Sequence, residues 1–113
     1  MKQITAIFQP HRLEHVEQAL HAMPHLPGFT IHPARGHARG HGTEHRFDVD
    51  EWNPDAHDKI VLTMFCADAL AAPLVRAIEQ AAHTGLVGDG MIAVTELAEL
   101  VRIRTGERGD AAV

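Results

Sequence analysis

The sequence predicts an α+β fold: one antiparallel sheet with two helices on one of its faces. Three observations carry that prediction. Short apolar segments alternate with two stretches of helical periodicity in the order βαββαβ. The chain has 113 residues, which suits a single domain, 1–113. Hydrophobic residues make up 45% and charged residues 22%, so there is material for a core and no excess charge to forbid one.

The elements follow in order. Ile4, Ala6 and Phe8 alternate with Gln3, Thr5 and Gln9, which reads as a first strand ended by Pro10. Leu13, Val16, Leu20 and Met23 recur at helical spacing, so a first helix is expected over Leu13 to Ala22. Pro24, Pro27 and Gly28 mark the next turn, and Phe29 to His32 reads as a second strand. From Gly36 to Asp58 no period survives, and the segment is expected to be a long functional loop. Ile60 to Phe65 is a nearly continuous apolar run, expected as a central strand. Leu70, Leu74, Ile78 and Ala81 carry a second helix that starts near Asp68, keeps Pro73 within its first turn or so, and ends at Gly85. Met91 to Val94 is the fourth strand, Glu96 to Leu100 a short helical turn, and Val101 to Arg104 an extended segment before a polar tail. This order is the ferredoxin-like arrangement.

Both parities of the third strand are apolar: Ile60, Leu62 and Met64 on one side, Val61 and Phe65 on the other. Two helices can cover only one face, so a second subunit is expected on the other. The net charge of −5 gives no support for nucleic-acid binding. Cys66 is the only cysteine, the N-terminus lacks a signal-peptide pattern, and no apolar run reaches membrane-spanning length, so a cytoplasmic protein without membrane insertion is expected. No nucleophile–base pair or fixed carboxylate pair is visible, which weighs against an enzyme.

Two segments carry chemistry. Thr84-Gly85-Leu86-Val87-Gly88-Asp89-Gly90-Met91-Ile92 joins helix to strand. Gly88 and Gly90 free the backbone to approach a ligand, successive N–H groups can form an anion-binding concavity, and Thr84 can add a hydroxyl donor. Taken alone, the GxG is better explained as a plain helix-to-strand turn. In Val101-Arg102-Ile103-Arg104 an extended backbone would aim Arg102 and Arg104 to one side, suiting bidentate phosphate binding. Alone, this reads better as a solvated charged edge strand.

Together these segments resemble the PII signal-transduction proteins, whose C-terminal third pairs a TGxxGDG turn with a VRIRTGE tail. Met1 to Pro10 resembles that family's opening strand and Gly28-Phe29-Thr30 its second-strand entry, with one extra residue before Gly28. The resemblance implies a homotrimer with adenine-nucleotide sites in the clefts between subunits. Gly88, Asp89 and Gly90 would cradle the phosphates, with Met91 beside them. Arg102 and Arg104, in a segment spanning 101–113, would reach across from the neighbouring subunit. Ile7, Thr30 and Thr63 would lie near base and ribose, and Gly36, Ala38 and Arg39 would open a mobile loop, 37–58, that docks on a regulated protein, expected to be a membrane transporter.

This chain departs from the family's pattern. Met91 stands where a Lys usually follows the GDG, and His57 stands where a Lys usually precedes the third strand, so two lysines near the phosphates are expected to be missing. ADP or AMP is therefore expected rather than ATP. Gly40 replaces a Gln tied to Mg²⁺ and 2-oxoglutarate, and the chain has neither Tyr nor Ser to modify. His37, His41 and His45 recur every four residues beside Glu44, which suggests an alternative, a Zn- or Cu-responsive module. The resemblance adds an association with heavy-metal efflux, since some PII-like proteins are encoded beside such pumps. His11, His15 and His21 are expected on a solvated face, Cys66 in the core, and Trp52 exposed in the loop as a partner anchor.

Overall fold

The computed structural model describes residues 1–37 and 56–113. Its elements are β1 (Lys2–Phe8), α1 (Leu13–His21), β2 (Phe29–His37), β3 (Ala56–Cys66), α2 (Asp68–Ala82) and β4 (Gly90–Glu96). Short 3₁₀ turns, Pro10–Arg12 and Gly109–Ala112, precede α1 and close the chain. The strands form one antiparallel sheet in the order β2-β3-β1-β4, the ferredoxin-like arrangement read from the sequence.

The register explains the core. Ile4, Ala6 and Phe8 of β1 pair with Met64, Leu62 and Ile60 of β3, which places all six on one side of the pleat. Val16 and Leu20 of α1 and Ala71, Leu74 and Ile78 of α2 pack there, and all five are buried. Cys66 completes this cluster, and burial holds its thiol pKa above the ordinary value. Arg12 Nε and Nη2 both donate to the carbonyl of Ala81, at 3.0 and 2.8 Å, tying the entry of α1 to the last turn of α2.

The opposite face carries Thr5, Ile7, Val61, Thr63, Phe65 and Met91. Ile7 and Phe65 are each 40% exposed and Met91 80%, so the second apolar face read from the third strand lies uncovered in the single chain.

Five expectations need correction. The second strand does not stop at His32: β2 runs to His37, and β3 begins at Ala56. Pro33 and Gly36 hide that extension in the sequence, and β2 tolerates Pro33 because it is an edge strand. Helix α2 starts at Asp68 as expected, but Pro73 is its sixth residue and not in its first turn. The bond Pro73 cannot make belongs to the carbonyl of Ala69, an exposed residue where water can replace it. The helix ends at Ala82, short of Gly85, because the Asp89 carboxylate captures the N–H groups of Thr84 and Gly85. Glu96–Leu100 forms no helical turn, and Leu97 N–H instead donates to the carbonyl of Met1 at 3.1 Å. Finally, Val101–Arg104 is not extended. Val101 bridges Arg108, Gly106 N–H donates to the Arg102 carbonyl at 2.7 Å, and Gly106 takes φ +74°, so the segment is a tight turn.

Candidate functional site

The segment between α2 and β4 is built around one carboxylate. Asp89 accepts hydrogen bonds from the N–H groups of Thr84 and Gly85, each at 2.9 Å, and from the Thr84 hydroxyl. Thr84 Oγ1 in turn accepts from Leu86 N–H at 3.2 Å. These donors, the Thr84 side chain first, lower the Asp89 pKa from 3.8 to about 2. His83 Nδ1 stands 3.7 Å from the same carboxylate. Asp89 and Thr84 therefore face each other, and the Thr84 hydroxyl proton expected for a ligand is given to Asp89.

The two glycines are required here for different reasons. Gly90 takes φ +113°, and a Cβ there would lie 1.8 Å from the carbonyl oxygen of Ile7, so no side chain fits. Gly88 takes φ +93°, and its Cβ would come within 2.8 Å of Gln9 Nε2. The flexible Gln9 could move aside, but the backbone angle still favours glycine. Among the described residues, the N–H groups of Val87 and Gly88 have no acceptor. The turn has donors left over, as an anion cradle needs.

Lys59 was missed in the sequence. It is only 6% exposed, and its ammonium donates to the Gly88 carbonyl at 2.9 Å. The expectation that both nearby lysines are missing is thus corrected: His57 stands in the strand, paired with Gly36, and Lys59 two residues later reaches the turn. The sequence concealed this because Lys59 lay against a segment read as loop. Its parity with Val61 and Thr63, on the open face, becomes legible only once β3 is known to begin at Ala56.

Several candidate residues converge on the open face. Thr63 pairs with Thr5 on one side and with Thr30 on the other, and Ile7 pairs with Met91. Gly36 lies beside Lys59, since a Cβ there would be 3.6 Å from Lys59 Cγ. A cavity of about 360 Å³ opens beside the turn, lined by Ile7, Val75, Ile78, His83, Gly90 and Met91. Arg102 and Arg104 line a different groove, of about 520 Å³, with Thr30, Phe65, Ile103 and Val113. That groove is at the other end of the sheet: Phe65 pairs with Gln3, whereas Gly90 pairs with Phe8.

Ala38, Arg39, His41, His45 and Trp52 lie outside the described residues. His37 occupies the last β2–β3 rung, opposite Ala56. No group of three or more potential metal ligands occurs among the described residues. His11, His15 and His21 are exposed, as expected. No helix among the described residues is long and apolar enough to cross a membrane.

A family model for nitrogen regulatory protein P-II matches residues 1–107. The chain is 41% identical over 113 residues to a nitrogen regulatory protein P-II of Azospirillum brasilense, covering all of both chains. It is 41% identical, again over both full lengths, to one of Rhodospirillum rubrum. It is 34% identical over 113 residues to the nitrogen regulatory protein GlnK of Escherichia coli, likewise covering both chains entirely.

Proposed function

The chain belongs to the nitrogen regulatory protein P-II family, a family of signal-transduction regulators, and we propose that it binds an adenine nucleotide between copies of itself and thereby controls a partner protein. The observation that carries this reading is the separation of the two phosphate-directed elements. The turn around Gly88–Gly90 lies beside Phe8, and Arg102 and Arg104 lie beside Phe65, at opposite ends of one sheet. A single nucleotide can touch both elements only if they come from two copies. The uncovered apolar face supports the same assembly, for which we propose a homotrimer.

In this reading the backbone donors of the turn receive phosphate oxygens, and the arginine pair of the neighbouring copy neutralises them. Ile7, Met91, Thr30 and Thr63 provide the surface for base and ribose. Met91 contributes no charge, so a nucleotide with fewer phosphates, ADP or AMP, is favoured over ATP. The protein acts by docking and not by catalysis, and the partner we propose is a membrane transporter met by the segment between β2 and β3. The protein itself would work in the cytoplasm.

Calorimetry with AMP, ADP and ATP, each with and without Zn²⁺ or Cu²⁺, tests this. ADP or AMP should bind more tightly than ATP, and Arg102→Ala should weaken the tighter of them about tenfold or more. No heat with any of the three nucleotides would remove the sensor. Heat only when the metal is present would favour the metal-responsive alternative.

A further inference from the structure

Two histidines stand on the helix side of the molecule, away from the nucleotide-directed elements. His11 lies in the Pro10–Arg12 turn and His15 in the first turn of α1, four residues later. The two elements form one right-handed helical path. Arg12 (φ −95°, ψ −3°) and Leu13 (φ −57°, ψ −47°) keep helical angles, and their N–H groups donate to the carbonyls of Gln9 and Pro10. Side chains four apart on such a path are neighbours, with about 5–6 Å between Cβ atoms. Val16 and Leu20 face the core, which turns His11, His15 and Gln18 to solvent, and all three are exposed. Neither imidazole has a hydrogen-bond or ion-pair partner among the described residues, whereas His32 meets the Pro33 carbonyl and His83 meets Asp89. Glu14, exposed beside them, adds negative charge, and the guanidinium of Arg12 is tied to the Ala81 carbonyl of α2. The same spacing recurs at His21 and His25 without the same geometry. Helix α1 ends at His21, whose ring meets Phe29, and His25 takes φ +57°, off the helix.

We propose that His11 and His15 form a two-imidazole chelate for a divalent transition-metal ion, of which Zn²⁺ is the probe, at the entry of α1. Neutral imidazole is a preferred ligand of such ions, and two histidines four apart on one helix face can share one ion. No third protein ligand joins them among the described residues, so water fills the remaining positions and the site is an open one. It uses none of the residues of the His37, His41 and His45 alternative, and it does not depend on the nucleotide reading. The helices lie opposite the uncovered sheet face, so the pair stays in solvent when copies join through that face.

The full chain is titrated with Zn²⁺ at a pH where imidazole is neutral, and the ¹⁵N resonances of the histidine rings are followed by NMR, with His11→Ala, His15→Ala and His21→Ala variants assigning them. The His11 and His15 signals should shift together with one midpoint. Once one imidazole holds the ion, the second binds it within the same molecule, so removing either ring should weaken zinc binding at the other about 100-fold. His21→Ala should leave that midpoint unchanged. Because each ring is followed by its own signal, zinc bound by other histidines does not count towards the result. Both side chains are exposed, and far-ultraviolet dichroism checks that the variants fold. Separate midpoints for His11 and His15 overturn the proposal, as does a His15 midpoint that His11→Ala leaves in place. So do unmoved His11 and His15 signals while other histidines take up zinc.

Discussion

Asp89 commits both carboxylate oxygens to its own turn, and this reverses the role its position suggests. An acid between two glycines looks like a ligand contact, yet here it shapes the loop that leaves other donors free. Its folded pKa, about 2, lies below the ordinary 3.8, so the sign is that of a stabilising carboxylate. The contribution is complete above about pH 4 and is lost as pH falls through about 2. Amide hydrogen exchange at Thr84 and Gly85, normalised for intrinsic rates, should therefore accelerate below pH 4. Asp89→Asn should show the faster exchange already at neutral pH. Equal protection in both proteins at pH 7 would remove Asp89 as the organiser of the turn. From the sequence, Gly88-Asp89-Gly90 was legible as a special turn, but the direction of the Asp89 side chain was not. That direction depends on Thr84 folding back over five residues.

At the level of elements, periodicity gave the order and most of the core. Ile4, Ala6 and Phe8 and the Val16–Leu20 stripe were readable because each repeats with the period of its element. Leu20 is fully buried between sheet and helices, so Leu20→Ala should cost about 2–5 kcal/mol in urea unfolding. A loss under about 1 kcal/mol would mean that the α1–sheet contact is slack. What failed was local: the ends of β2 and β3, and the 101–108 segment. In β2, polar and ring-constrained residues follow Ile31, and an edge strand can accept them because only one side needs pairing. In 101–108, alternating Val, Arg, Ile and Arg imitates a strand, but Gly106 at positive φ turns the chain back within a few residues. Arg102 and Arg104 still reach one groove, by a turn and not by strand alternation.

For the whole molecule, the decisive property is the sheet face opposite the helices. Two helices bury one face, and Ile7, Phe65 and Met91 are left on the other. If the proposed assembly covers that face, Phe65→Glu should release single chains, read as a drop in mass by light scattering with the far-ultraviolet dichroism unchanged. An intact assembly in that variant would place the subunit contact elsewhere. The chain also has one thiol, Cys66, sealed in the core with its pKa raised by burial, so it resists alkylating reagents while the fold is intact. A cysteine placed at Ile103, which is 99% exposed, would then be the sole attachment point for a spin label or dye. The number of coupled labels in one particle would count the copies directly, and their spacing would give the distance between the arginine-bearing turns.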